Sequence, residues 1–119
     1  MDKQKRKELQ EEYKKIKTYL GVIQIINQTN QKTYIAGYPN LKNKWYTLQE
    51  QLNMGRHANA DLQRDWKEYG AASFTFSVLE EKDAGEINDV HWEVKQLEKS
   101  WLHKLQPYGE KGYNRPPKD

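Results

Sequence analysis

Apolar positions along the chain change their spacing several times, and each change marks an element. Leu9, Tyr13, Ile16 and Leu20 recur at helical spacing among Lys and Glu, so residues 4–19 read as an amphipathic helix with one narrow apolar stripe. Gly21 is placed to end it. The β-branched run Val22-Ile23-Gln24-Ile25-Ile26 and the shorter Thr33-Tyr34-Ile35-Ala36 flank the polar turn 27–31, which predicts a hairpin. Gly37, Pro39 and Asn40 break the pattern, and Asn40 is a candidate cap for a helix carrying Leu41, Trp45, Leu48 and Leu52 that stops near Gly55. A second helix carries Leu62, Trp66 and Tyr69 and ends at Gly70. Phe74 to Leu79 predicts a third strand, Lys82 to Asn88 a charged loop, and Val90, Val94, Leu97, Trp101 and Leu105 a long helix stopped by Pro107. The order is α, β, β, α, α, β, α. Burying all of these stripes together calls for an α/β (α+β) domain, a small three-stranded antiparallel sheet flanked by helices.

Composition narrows this further. A chain of 119 residues has room for one core of any size. Hydrophobic residues are only 35% of it, but four Trp, eight Tyr and two Phe supply large buried areas. Trp45, Trp66 and Trp101 lie on apolar stripes and belong in the core, with Trp92 less clearly so. The absence of cysteine excludes disulfides, thiolate metal sites and a cysteine nucleophile. No apolar run reaches the ~18 residues needed to span a bilayer, and the charged start MDKQKRKELQEEYKK has no signal-peptide core. The expectation is a soluble, cytoplasmic protein with no membrane partner. A net charge of +3 suits a phosphate-backbone partner without pointing to one. His57, His91 and His103 lack zinc-site spacing, and the glycines form no phosphate-cradling loop after a strand.

A series of short strings, in order, carries a resemblance. These are Gly21-Val22-Ile23, Tyr34-Ile35-Ala36, Asn43-Lys44-Trp45, Gly55-Arg56-His57-Ala58-Asn59, Leu62-Gln63-Arg64-Asp65-Trp66, Lys67-Glu68-Tyr69-Gly70, Phe74 to Glu80, Glu98-Lys99-Ser100-Trp101-Leu102 and Gly112-Tyr113-Asn114. Over residues 21–114 the chain resembles the GIY-YIG nuclease family, with residues 1–20 as an extra N-terminal helix and 115–119 as a disordered tail. The resemblance implies cleavage of a phosphodiester with one divalent ion, Mg²⁺ or Mn²⁺. DNA is the expected substrate and RNA the second candidate; no oligomeric state is implied.

Position by position, the resemblance places the metal at Glu98, three residues before Trp101, and catalytic roles at Tyr34, Lys44 and His57. Lys44, Arg56, His57 and Asn114 fall where nucleic-acid contacts are implied. Two positions depart: the first-motif tyrosine is Ile23, and the phosphate-gripping arginine is Lys44. The glycine closing the second motif is Ala36, though Gly37 follows, and a further polar position on the first core helix is Leu48. An isoleucine neither moves a proton nor orients a water, and a lysine lacks the two-pronged grip of a guanidinium. Glu98, Tyr34, His57 and Asn114 also have ordinary readings as a solvated helix acid, a sheet-face aromatic, a loop residue and a turn cap. Three functions follow. The first is a nuclease homologue that binds nucleic acid with weakened or lost cleavage. The second is an active endonuclease with a rearranged site, and the third is a protein-interaction module using the N-terminal helix.

Overall fold

A computed structural model describes residues 17–117. Three strands, β1 (Tyr19–Asn27), β2 (Thr33–Tyr38) and β3 (Phe74–Asp83), form one antiparallel sheet in the order β2-β1-β3. Helices α1 (Lys44–Asn53) and α2 (Ala60–Tyr69) lie between β2 and β3 in the chain, and α3 (Val90–Leu105) follows β3. The architecture is thus the expected small sheet flanked by helices.

Alternation along β1 explains the layering. Ile23 and Ile25 point to one face and pack with Leu48, Leu52, Leu62, Trp66 and Phe74 in a first core beneath α1 and α2. Leu20 and Val22 point to the other and pack with Ile35, Val94 and Leu97 beneath α3. A strand buried on both faces reads as a continuous apolar run, which is how β1 is written. In β3 the register against β1 shifts between Val22 and Ile23, so Val22 faces Glu80 while Ile23 faces Val78. The extra residue flips the parity of the strand's second half. Glu80 and Lys82 thereby come to the α3 side, where Glu80 Oε1 accepts from Trp101 Nε1 at 2.9 Å and Lys82 Nζ meets Glu93 Oε1 at 2.6 Å.

Several boundaries differ from the sequence reading. Tyr19 and Leu20 belong to β1, and Gly21 sits inside the strand instead of ending a helix. A Cβ there would lie 2.1 Å from the Glu80 carbonyl, so close strand approach is what requires this glycine. Residues 4–16 of the expected N-terminal helix fall outside the described residues, as do 118 and 119 of the tail. Helix α1 starts at Lys44, after the left-handed Asn43 (φ 54°), and not beside Asn40. The Asn40 side chain instead accepts from Lys42 N in a local turn, which leaves Leu41 outside the helix. Strand β3 runs on to Asp83, past the expected end, because its second half is paired to Tyr19–Val22. Trp92 is exposed. Among the described residues no helix is long and apolar enough to cross a membrane.

The β1–β2 hairpin is tied to α2 by a buried polar network. Tyr113 Oη donates to Asp65 Oδ2 at 2.7 Å, Asn27 Nδ2 donates to Tyr113 Oη at 3.2 Å, and Asn30 Nδ2 donates to Asp65 Oδ2 at 3.2 Å. Burial raises Tyr113 to about 12, so its phenol stays a donor. Asn27 is fully buried and Asp65 nearly so, which makes every missing partner costly. Asp65→Ala is expected to destabilise the fold by about 1–3 kcal/mol, read as a lower Tm, by orphaning Tyr113 Oη and Asn30. Asp65→Asn, which keeps an acceptor, should retain most of that stability; equal losses in both variants would mean the carboxylate charge matters more than the hydrogen bonds.

Candidate functional site

The outer edge of β2 gathers the candidate residues. On its outer side this strand makes just an isolated parallel bridge, Thr33 to Gly112, so every second residue turns backbone polar groups away from the sheet. Three partners take them up. Thr33 O accepts from Tyr113 N at 2.9 Å. Asn114 clamps Ile35 with two bonds of 2.8 Å, its Oδ1 accepting from Ile35 N and its Nδ2 donating to Ile35 O. The Glu98 carboxylate reaches round from α3 and accepts from Gly37 N at 2.7 Å through Oε2. A Cβ on Gly37 would sit 2.8 Å from Val94 Cγ1 and 3.1 Å from Glu98 Oε2, so the glycine admits both the helix and its carboxylate.

The face of β2 above the first core carries Tyr34, Ala36 and Tyr38, with Ala36 opposite Ile23 of β1. Tyr34 lies edge-on to His57, with ring centroids 5.3 Å apart. Lys44, the first residue of α1, holds its ammonium 4.3 Å from the centre of the Tyr38 ring. Tyr34 is raised above the usual phenol range by burial first and then by the Glu98 charge, with a smaller opposing effect of the Tyr38 hydroxyl. Tyr38 is raised further, by burial, then by Tyr34, and then by Glu98. Both phenols stay protonated at neutral pH and can act as donors, not as bases.

The loop after α1 holds His57. Gln63 Oε1 accepts from His57 N at 3.0 Å while Gln63 Nε2 donates to Leu52 O at 2.7 Å, bracing the loop from α2. Asn59 caps α2 by accepting from Leu62 N at 3.0 Å, donates to Tyr113 O at 2.8 Å, and sends its own N–H to His57 Nδ1 at 3.0 Å. With Nδ1 an acceptor, the neutral ring carries its proton on Nε2. Burial lowers the His57 pKa.

The structure therefore ranges the candidates along the edge strand β2, with His57 beside Tyr34 near its start, Asn114 on the backbone of Ile35, and Glu98 and Lys44 at Gly37 and Tyr38 near its end. Glu98 comes from the helix on the opposite face and reaches the strand edge at Gly37, not the face that carries the phenols. Arg56 is exposed on the loop beside His57, and its guanidinium makes no hydrogen bond or ion pair among the described residues. Ile23 and Leu48 are fully committed to the first core. Tyr38 is the residue that the sequence reading missed. Ending the second strand at Ala36 hid it, although its four-residue offset from Tyr34 puts both on one face of a longer strand.

Two solved structures are similar to the chain. The catalytic domain of the homing endonuclease I-TevI superposes with a TM-score of 0.66 at 28% identity, covering 82% of this chain and 99% of that one. A glutamate-to-alanine mutant of the catalytic domain of intron endonuclease I-TevI gives 0.67 at 26% identity, over 81% and 92%. I-TevI is a GIY-YIG homing endonuclease. The domain has a GIY-YIG-like fold. No family model matches the chain, and no curated protein sequence does.

GIY-YIG nucleases typically use a divalent metal, and here the donor set permits one in a restricted way. Among the described residues no three His, Asp or Glu side chains converge, so protein ligands alone could not enclose an ion. Glu98 offers one carboxylate with Oε2 anchored by Gly37 N–H, and Oε1 meets no protein donor among the described residues. That suits Mg²⁺, which keeps several waters and takes one or two carboxylates with substrate phosphate.

The lowered His57 pKa has a consequence for stability. The neutral ring is favoured in the fold, so its contribution is complete above the unfolded value of about 6.5 and is lost as pH falls from there toward the folded value. Tm should drop on acidification below pH ~6.5, and His57→Asn, which keeps an acceptor near Asn59 N–H, should flatten that drop. An unchanged pH profile in the variant would show that the ring's burial does not govern it.

Proposed function

We propose that this GIY-YIG-like domain engages the phosphodiester backbone of a nucleic acid beside Glu98, and that its cleavage activity is strongly weakened. DNA is the substrate in this reading and RNA the alternative. The observation that carries it is Ile23, fully buried in the first core at the position of the first-motif tyrosine. The groups left at the site are donors and charges. Lys44 supplies a point charge for a phosphate oxygen, without the fork that would hold two. Tyr34 and Tyr38 offer neutral O–H groups, and His57 offers Nε2–H while Nδ1 is engaged by Asn59. A Mg²⁺ or Mn²⁺ ion on Glu98 would polarise the phosphate and stabilise charge on the leaving oxygen. What is missing at position 23 is the phenol that the resemblance expects there, and losing a positioned acid or base costs about 10²–10⁴-fold in rate.

Gel-shift titration against a labelled duplex is expected to give an affinity that falls steeply with salt, as counterion release requires. In Mn²⁺ a plasmid should be nicked slowly, and Glu98→Ala should remove that nicking. Absence of any shift at low salt would sink the nucleic-acid reading. Rapid, Glu98-dependent cutting would sink the weakening and leave an active endonuclease with a rearranged site, a reading that Tyr38 favours by adding a second phenol. Lys44→Arg separates the two in degree. By restoring a bidentate grip it should raise the nicking rate, and an unchanged rate would remove Lys44 from the phosphate.

A further inference from the structure

We propose that Tyr38 is a working residue of this site, supplying from β2 the second phenol that β1 lacks at position 23 and seating the ammonium of Lys44. The proposal rests on the nucleic-acid reading above and deepens it.

Register carries the first half. Ile23 of β1 stands opposite Ala36 of β2, between Tyr34 and Tyr38 on the same face. Ala36 is small enough that the two rings flanking it can lean over it. A phenol reaching the site from position 23 would approach across this alanine; one reaching it from position 38 approaches along the strand. Tyr38 also follows Gly37, whose N–H holds Glu98 Oε2 at 2.7 Å, so strand geometry fixes the second phenol and the carboxylate together.

The second half concerns Lys44. A lysine has a flexible four-carbon stem and no preferred direction, unlike a guanidinium with a planar fork. Here the ammonium rests 4.3 Å from the Tyr38 ring centre, an attraction that limits the stem's freedom and points the charge at the site. A ring at position 38 therefore partly offsets the change of a phosphate-gripping arginine to lysine. One residue would answer two departures.

Two substitutions separate the hydroxyl from the ring. Tyr38→Phe removes the hydroxyl and keeps the seat, whereas Tyr38→Leu removes both. In single-turnover nicking with Mn²⁺, Tyr38→Phe is expected to lose about 10²-fold, the usual cost of one donor aimed at developing charge. Its affinity for a labelled duplex in EDTA should match wild type, the pattern of an interaction made only in the transition state. Tyr38→Leu should weaken that affinity as much as Lys44→Ala does, and adding it to Lys44→Ala should weaken it no further. Wild-type nicking in Tyr38→Phe, or wild-type affinity in Tyr38→Leu, would overturn the corresponding half while leaving the nucleic-acid reading intact. A wild-type protein that binds but never nicks, and gains nicking with Ile23→Tyr, would show that the missing phenol had no substitute. A protein that neither binds nor nicks would overturn both readings together.

Discussion

An edge strand must dispose of the backbone groups it turns outward, and in this domain that requirement organises the site. Strand β2 ends the sheet on one side, and an unpaired polar group in a half-buried place costs about as much as a lost hydrogen bond. The chain meets that demand with two side chains and a short backbone bridge instead of a fourth strand. Asn114 serves Ile35, Glu98 serves Gly37, and the backbone of Tyr113 serves Thr33. Each satisfying group is thereby brought beside the phenols that the same strand presents upward. Two of the groups that satisfy the edge, Asn114 and Glu98, are also candidate site residues, so the scaffold and the candidate site share these hydrogen bonds.

This shared dependence explains which parts could be read from the sequence. Helices α2 and α3 announce themselves through apolar spacing and through real caps, Asn59 on Leu62 N and Asp89 on Trp92 N. Strand β1 announces itself as a run apolar on both faces. The start of α1 did not, because Asn40 has the right chemistry for a cap but spends it on Lys42 N, and the chain enters the helix through a left-handed Asn43 instead. The Leu20 end of the supposed N-terminal stripe was misassigned for a related reason: one apolar residue fits either period, and pairing with Lys82 decided it. Tyr38 was lost to a break signal, since Gly37 and Pro39 mark a turn in sequence while Gly37 in fact extends the strand to admit Glu98. The buried Asp65–Tyr113–Asn27 network is illegible in principle, because its members lie 48 and 86 residues apart.

The two cores set where such a site can lie. Tyr34 and Tyr38 rise over the first core and Glu98 descends from the helix over the second, so the sheet itself separates them everywhere except at its rim. Only at the edge strand does the carboxylate reach the backbone of β2, and a residue without a side chain admits it closely. Gly37 meets that condition, while Ala36 one residue earlier does not need to, since its methyl points to the phenol face above Ile23. The resemblance expects the motif's closing glycine at Ala36, and the glycine that follows at 37 lies on the other face, as a one-residue step along a strand imposes.

A site built this way favours holding over proton transfer. Burial and the Glu98 charge act in the same direction on both phenols, raising the cost of losing a proton at either. Burial acts oppositely on His57, keeping it neutral, and the Asn59 N–H occupies the nitrogen that would accept. Donors, one ammonium and one carboxylate remain, which is what the proposed grip on a phosphate and a hydrated cation requires. A single ionisable group with an accessible lone pair would change that balance. Position 23, opposite Ala36, is filled by an isoleucine whose burial contributes about 1.5–3 kcal/mol to the core. In the proposed reading stability and catalysis compete for this position, and packing holds it.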